Sequence, residues 1–311
     1  MPAHRPADLA HAISTGQVTL HYQPQVELTT GLVLGVEALA RWEHPRLGLL
    51  WPDAFLPEVT RAGLMHQLTL HVLDRAVEQA AAWATAGHGT RVSVNMAVSD
   101  LHGPGFVDHV AGALDRYGLD RALLGLEVTE TEATTDPERS GAVLCELHQM
   151  GIHLSVDDYG TGYSSLAYLQ QFPFRSLKLD RAFIAGLFGD PCTVAIVRST
   201  IAMARELGMP VLAEGVEDDS TLLALRGLQC FAAQGFGLAR PVPAAQLIAD
   251  SRDSHADDER PAPARRSITP MTQSRLPDDA FAHDRPGCRP LLARQTPDLR
   301  VRPRHRPGYT P

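Results

Sequence analysis

Short apolar segments alternate with longer amphipathic segments from about residue 17 to residue 240, and this alternation constrains the fold more than any other feature of the sequence. Most of these short segments contain β-branched residues, and each carries a polar or acidic residue in its second half, a pattern that indicates buried strands. The candidate strands are Thr19–Val26, Val33–Ala40, Arg91–Met96, Leu124–Thr129, Ile152–Asp157, Ser176–Asp180, Pro210–Gly215 and Gln229–Gly235.

Helical patterns fill most of the intervals between these candidate strands. Three examples run over His66–Ala86, Asp136–Met150 and Thr193–Leu207. A glycine follows each of them, as is common at the C-terminus of a helix. Strands that alternate with helices favour a parallel sheet, and eight such strands predict an α/β fold of the TIM-like (β/α)8 barrel type.

One connection departs from the ideal barrel. The first two candidate strands are separated only by a short segment at about Leu28–Gly31. Because parallel neighbours need a crossover of about a dozen residues or more, these two strands must form a hairpin. The sequence therefore predicts a modified (β/α)8 barrel with one antiparallel strand.

The sequence shows no feature of a membrane or secreted protein. No apolar run approaches the roughly 20 residues that span a bilayer, and the N-terminal segment lacks the basic start and apolar stretch of a secretory signal. The cysteines Cys145, Cys192, Cys230 and Cys288 lie far apart. We therefore expect neither a disulfide framework nor a cysteine zinc site, and we expect a cytoplasmic protein without a membrane span.

The composition changes near residue 250. Residues 250–311 contain ten prolines, twelve arginines and little apolar periodicity, which predicts a disordered tail. Residues 1–249 carry sixteen basic and twenty-seven acidic residues, a net charge of −11, and we assign them to one folded domain. An acidic body argues against binding a nucleic-acid polymer through its phosphates, but it allows clustered carboxylates that hold cations.

The ends of the candidate strands carry a distinctive set of side chains. In a barrel of this type, residues at the C-terminal ends of the strands converge on one mouth, where active sites lie. The set combines five carboxylates, three amides and one lysine: Glu37, Glu127, Asp157, Asp158, Glu214, Gln23, Asn95, Gln234 and Lys178.

Carboxylates that converge on one mouth stay ionised together only if cations lie among them. Oxygen ligands without cysteine or histidine favour Mg²⁺ or Mn²⁺ over zinc. A carboxylate shared by two ions about 4 Å apart, for which Asp157 is the candidate, suits in-line displacement at phosphorus. Taken singly, Asp158 and Glu217 could instead cap the helices that follow them. Glu127 differs because it interrupts an apolar run, where a carboxylate without a partner is costly to bury.

Lys178 is the only lysine in the chain, against twenty-seven arginines. Chance survival of one lysine is the simple explanation. The functional explanation is that lysine, unlike arginine, can exchange a proton. Beside the clustered acids, Lys178 would then handle a proton or act as a point charge on the attacking water or a phosphoryl oxygen.

These residues lie in motifs that resemble the EAL-domain family, the phosphodiesterases that hydrolyse the bacterial second messenger cyclic di-GMP. The resemblance covers about residues 5–248, and it is specific because many spaced motifs occur in one order. The matching stretches are Tyr22–Pro24, Glu37–Leu39 with Arg41, Asn95, Glu127–Glu130, Asp157–Leu166, Lys178–Asp180, Glu214–Glu217 and Gln234–Gly235.

The resemblance implies a site with two ions of Mg²⁺ or Mn²⁺. The residues similar to the ligands of the first ion are Glu37, Asn95, Glu127 and Asp157, and those similar to the ligands of the second are Asp157, Asp158 and Glu214. Lys178 resembles the catalytic lysine, and Gln234 resembles a residue that helps to position the water. Asp158 and Glu214 belong with these two to the expected catalytic set.

The resemblance also implies contacts to the substrate and to a second subunit. Arg41 would hold a phosphate through its guanidinium fork, and Gln23, Leu39 and Asn95 would line the nucleotide site. Glu130 and Glu217 are similar to the pair that supports the loop at residues 158–166. In the family that loop couples dimer packing to the second metal, so a homodimer is expected.

The resemblance implies a Mg²⁺- or Mn²⁺-dependent phosphodiesterase that opens cyclic di-GMP to linear pGpG. The alternative is a catalytically silent receptor that binds cyclic di-GMP and signals to a protein partner. Inactive members lack one or more of the acids or the lysine, whereas this chain retains all of them. A third possibility, an unrelated two-metal barrel hydrolase, would share the site but not the ordered motifs.

Overall fold

Eight strands close into a barrel in the computed structural model, which describes residues 6–97, 100–101, 103, 105–129, 136–160 and 166–247. The tail assigned to 250–311, together with residues 248 and 249, lies outside the described residues. The strands are β1 (Val18–Glu27), β2 (Val33–His44), β3 (Gly48–Leu50), β4 (Arg91–Asn95), β5 (Leu124–Thr129), β6 (His153–Tyr159), β7 (Ser176–Leu179), β8 (Val211–Ala213), β9 (Ala232–Ala233) and β10 (Val242–Pro243).

The barrel contains one antiparallel strand, as the sequence predicts. Around the barrel the order is β1, β9, β8, β7, β6, β5, β4 and β2, and β2 pairs again with β1. Strand β1 is antiparallel to both of its neighbours, while every other neighbouring pair in the ring is parallel. Strands β3 and β10, which the sequence did not indicate, pair antiparallel with β2 and β1 outside this ring.

Helices fill the connections between the parallel strands. They are α1 (Pro6–Ser14), α2 (Pro52–Arg61), α3 (Met65–Thr85), α4 (Phe106–Tyr117), α5 (Pro137–Gln149), α6 (Leu166–Gln171), α7 (Arg181–Ala185), α8 (Pro191–Glu206) and α9 (Asp219–Gly227), with a 3₁₀ turn at Arg121–Leu123. Aspartates cap several of them: the side chains of Asp136, Asp190 and Asp218 accept hydrogen bonds from backbone N–H groups of α5, α8 and α9. The predicted helices agree with α3, α5 and α8 to within two residues.

Alternation along the strands separates the core from the site. In β5, Leu124, Leu126 and Val128 are fully buried in the main hydrophobic cluster. Glu127 points to the opposite face of the strand, inside the barrel, because successive side chains alternate. The sheet therefore places an apolar layer outside the barrel and polar groups within it.

The cysteines differ in state. Cys192 is exposed and free, and Cys230 is buried and free. Cys145 is disulfide-bonded, which was not expected from the sequence. Among the described helices, none has both the length and the apolar character required to cross a membrane.

Candidate active site

Lys178 lies in β7 with its ammonium among four carboxylates. Its Nζ atom lies 2.6 Å from Glu214 Oε1, 3.3 Å from Asp157 Oδ1 and 3.6 Å from Glu37 Oε2. It also donates a hydrogen bond to Glu127 Oε2. The side chain of Lys178 is only 3% exposed, so this is a buried ammonium held by carboxylates from four other strands or strand ends.

Strand pairing brings these side chains to one level of the barrel. Gln23 of β1 is paired with Glu37 of β2, and Asn95 of β4 is paired with Glu127 of β5. Beyond the end of β8, the backbone N–H of Glu214 donates to the carbonyl of Leu179 at 3.0 Å. The pairing register therefore converts residues from distant parts of the sequence into one cluster.

Amide side chains orient the carboxylates from the other side. Asn95 Nδ2 donates to Glu37 Oε1 at 2.7 Å, and Gln234 Nε2 donates to Glu37 Oε2 at 2.6 Å. Gln234 Nε2 also lies 3.1 Å from Gln23 Oε1. Gln25, which was not singled out from the sequence, donates to Glu127 Oε1 at 3.3 Å. Both oxygens of Glu37 and both of Glu127 thus have a donor.

Asp157 and Asp158 are consecutive, yet both reach the site. Asp158 has a positive φ of 51°, and the pairing of β6 with β7 shifts register between Val156 and Tyr159. This backbone conformation, which aspartate tolerates better than most residues, breaks the strand alternation that would send the two carboxylates to opposite faces. Ligand oxygens of Asp157, Asp158 and Glu214 lie within 4.8 Å of one another.

The site holds more negative charge than Lys178 can balance. Burial raises the pKa of Glu127 to about 8. Attraction to Lys178 lowers this pKa, and repulsion from Glu37 and Asp157 offsets part of that lowering. Burial also raises the pKa of Glu214, with Asp157 repulsion adding to it. The pKa of Lys178 is well above its usual value because the surrounding carboxylates outweigh the effect of burial.

The donor set fits a hard divalent cation. Asp157, Asp158 and Glu214 offer only oxygen atoms, which are the ligands that Mg²⁺ and Mn²⁺ prefer. Burial raises the pKa of Asp158 to about 6, with added repulsion from Asp157 and Asp180. A cation would remove this repulsion, so the cluster has a physical reason to bind one.

Arg41 lies four residues beyond Glu37 on the same face of β2. It is only 1% exposed, and burial lowers its pKa to about 10. Its Nη1 donates to the Ala40 carbonyl at 2.7 Å, while its buried Nε has no partner among the described residues. The guanidinium carbon lies 4.1 Å from the ring centroid of Trp51. Between Glu37 and Arg41, Leu39 is half-buried and paired with His21.

Only one member of the predicted loop-supporting pair, Glu217, lies within the described residues. Glu217 is exposed between β8 and α9. Glu130 and residues 161–165 of the predicted loop lie outside the described residues. The role expected for this pair therefore stays a prediction.

Three residues near the site were given no role from the sequence, although Asp180 lies in one of the matching stretches. Gln25 follows Gln23 at the strand period of two, which could have indicated it. Asp180 caps α7 through Ala182 N at 2.8 Å, and its charge acts on Asp158. Trp51 meets Arg41 only because the chain turns back after β2, and no sequence signal marks that contact.

The chain is similar in sequence to known proteins. Residues 7–241 match the family described as "EAL domain". The Pseudomonas aeruginosa protein "Bifunctional diguanylate cyclase/cyclic di-GMP phosphodiesterase MucR" is 44% identical over 243 residues, which cover 78% of this chain and 36% of that protein. "Cyclic di-GMP phosphodiesterase NbdA" from the same organism is 42% identical over 241 residues, covering 77% of this chain and 31% of NbdA.

A solved structure is similar to the chain in both fold and sequence. The structure "PaMucR Phosphodiesterase, c-di-GMP complex" matches with a TM-score of 0.75 and 44% identity, over 78% of this chain and 98% of that one. The chain therefore spans about a third of the length of the two full-length relatives named above, and nearly all of the solved fragment.

Proposed function

The chain belongs to the EAL domain family, and from this premise we propose that it is a phosphodiesterase that hydrolyses cyclic di-GMP to linear pGpG. The observation that carries the proposal is the buried ammonium of Lys178 among Glu37, Glu127, Asp157 and Glu214. A purely structural lysine would need one partner rather than four. The names of MucR and NbdA, which both include a cyclic di-GMP phosphodiesterase, support the same activity.

Two ions of Mg²⁺ or Mn²⁺ are part of the proposal. Glu37, Asn95, Glu127 and Asp157 would hold one ion, and Asp157, Asp158 and Glu214 would hold the other. Bound ions of this kind activate a water and stabilise charge on the phosphoryl oxygens. The oxygen-only donor set and the closeness of Asp157, Asp158 and Glu214 support the assignment.

Gln234 and Lys178 would act on the water and the phosphate. Gln234 uses Nε2 to donate to Glu37, and its Oε1 is buried with no partner among the described residues. That oxygen can accept a hydrogen bond from a water and so orient it. Lys178 would assist proton transfer or place its positive charge beside a phosphoryl oxygen.

Arg41 would bind a phosphate of the substrate. Its guanidinium is buried, yet among the described residues it donates to no carboxylate and leaves Nε unused. A phosphate would use that donor in a charge-assisted hydrogen bond. Gln23 and Leu39 would line the nucleotide site beside it, together with Asn95.

We also propose the wider setting that the family resemblance implies. The folded domain would comprise residues 1–249, followed by a disordered tail at 250–311. The protein would form a homodimer, in which Glu130 and Glu217 support the loop at residues 158–166. Because the substrate is a second messenger, we place the proposed enzyme in the cytoplasm.

The direct test is to incubate the purified full-length protein with cyclic di-GMP and Mg²⁺ and to separate the products by chromatography. We expect pGpG, with Mn²⁺ also supporting the reaction and a chelator abolishing it. Calcium should inhibit, because it prefers more ligands and looser geometry than Mg²⁺. The variant Glu127→Gln, checked for an unchanged fold by circular dichroism, should form little product.

The same experiment separates the enzyme from the silent receptor. Cyclic di-GMP that binds in calorimetry but is recovered intact after long incubation with Mg²⁺ or Mn²⁺ would favour the receptor. If cyclic di-GMP neither binds nor yields product, that result would argue against both functions. Robust activity in Ca²⁺ alone would contradict the metal assignment.

A further inference from the structure

A cavity lies at the end of the barrel opposite to the carboxylate cluster. Its volume is about 590 Å³, a size that suits a small molecule. It is lined by the residues that precede β8 and β9, by the turn after β1 and by the last turns of α8 and α9. Glu214 and Gln234 follow the C-terminal ends of β8 and β9, whereas this cavity lies at the N-terminal ends of the same two strands.

Two arginines line the cavity, and neither is paired with an acid. Arg205 Nη1 donates to Gln229 Oε1 at 2.7 Å, and Arg226 Nε donates to the Leu28 carbonyl at 2.9 Å. Both acceptors are neutral. Among the described carboxylates, none lies within ion-pair distance of either guanidinium, in a body whose net charge is −11. Since a guanidinium carries five N–H donors, most of its donors remain for a ligand.

Gln229 connects the two arginines. Its backbone N–H donates to the carbonyl of Arg226 at 3.0 Å, while its side chain accepts from Arg205. Its backbone has a positive φ of 59°, an uncommon conformation for a residue other than glycine. Arg205, Arg226 and Gln229 are exposed, so the two guanidiniums lie at the open rim of the cavity, each held by one hydrogen bond to a neutral oxygen.

Helix termini explain why cations lie here but not what they bind. Arg205 and Arg226 occupy the last turns of α8 and α9, where the partial negative charge of the helix end favours a cation. That partial charge is diffuse and leaves the N–H donors of the two guanidiniums without a specific acceptor. An anion that bridges both guanidiniums would accept hydrogen bonds from those donors.

The rest of the wall is apolar. Ile201, Met209 and Val211 line the cavity and are almost fully buried, and the half-buried Phe231 completes this side. Inorganic phosphate would leave this wall unused, and a neutral hydrocarbon would leave the guanidiniums unused. The wall and the arginines together select a molecule with one anionic group and an apolar body.

We propose that this cavity binds a small amphipathic anion, with a carboxylate or phosphate monoester against Arg205 and Arg226 and an alkyl or aryl body against Met209 and Phe231. Binding here needs neither the metal ions nor the activity proposed above. The site is therefore testable in the full-length protein without cyclic di-GMP.

The test uses isothermal titration calorimetry with octanoate and octyl phosphate, kept below their micellar concentrations. The controls are acetate, which lacks the apolar body, and 1-octanol, which lacks the charge. We expect saturable binding of at least one octyl anion, with acetate and octanol at least about tenfold weaker. The anion that binds more tightly identifies the preferred head group.

The double variant Arg205→Gln with Arg226→Gln should weaken binding of the octyl anion at least about tenfold. The matched control is Arg198→Gln, an exposed arginine on α8 that does not line the cavity, and it should bind like the parent. The methyl NMR signal of Met209, assigned with Met209→Leu, should shift on saturation. No saturable binding of either anion, equal binding by octanol or unchanged affinity in the double variant would overturn the proposal.

Discussion

The two ends of the barrel have opposite charge arrangements. At the mouth, one ammonium on Lys178 lies among four carboxylates, and the excess charge is negative. At the other end, the acceptors that Arg205 and Arg226 find among the described residues are neutral oxygens of Gln229 and Leu28. Strand ends supply the mouth, while helix ends supply the arginines. The difference teaches that one barrel can carry a carboxylate-rich end and an arginine-lined end through different structural elements.

The largest expected effect tests the mouth through Lys178→Arg. The positive charge is kept, but arginine does not release a proton in proteins, and the larger guanidinium must fit the buried position among the four carboxylates. We expect turnover of cyclic di-GMP to fall by about 10²- to 10⁴-fold, while nucleotide binding persists. Steady-state assays and calorimetry measure the two effects. The control Arg198→Lys, on exposed α8, should retain parent activity; near-normal turnover in Lys178→Arg would defeat the role proposed for the lysine.

The next effect tests the second metal ion through Asp158→Asn. Loss of one carboxylate from the group with Asp157 and Glu214 should weaken that ion and reduce the rate much more than the affinity for cyclic di-GMP. The measurement is kcat and KM across a Mg²⁺ titration. Glu206→Gln, an exposed change at the end of α8, serves as the control. Equal parent and variant rates at saturating Mg²⁺ would count against two ions.

A smaller effect is expected at the rim through Trp51→Leu. The indole lies over the guanidinium of Arg41, an interaction that contributes about 0.5–2 kcal/mol. Its loss should raise KM by roughly 2- to 30-fold with little change in kcat, since Arg41 would bind phosphate with a less fixed orientation. Trp51→Phe keeps a ring and should recover part of the loss. A change in kcat alone would assign Trp51 a different role.

The smallest effect tests the proposed domain boundary. Deletion of residues 252–311 should leave both the melting temperature and the activity nearly unchanged, because the predicted tail adds no apolar periodicity to the barrel. Differential scanning calorimetry and the pGpG assay provide the measurements. A large loss of either quantity would place part of the tail within the folded domain.

Much of the fold could be predicted because the apolar segments in the sequence coincide with the strands that pair in the barrel. The prediction at Leu124–Thr129 matches β5 at both ends. The prediction at Gln229–Gly235 is longer than the two-residue β9, because Gly235 turns closely against the backbone at Val216, where a Cβ atom would lie 2.1 Å from a carbonyl oxygen. Such close backbone approach depends on the assembled barrel and has no local sequence signal.

The site residues could be predicted where they lie at or near the C-terminal ends of strands. Glu37, Glu127 and Lys178 interrupt apolar runs, so their polarity is visible in the sequence. Trp51 was missed because its contact with Arg41 is set by the turn from β2 to β3 rather than by any periodic pattern. The arginines at the other end were also missed, since single cations in the last turn of a helix are ordinary.

The reversed direction of β1 has a consequence for the order of folding. β1 and β2 form a local hairpin, which can pair early because its loop is short. The partner on the other side of β1 is β9, more than two hundred residues later in the chain. A nascent chain released before residue 232 would therefore display two unpaired edges, on β1 and β8, and would be prone to join with its neighbours until the final seam closes.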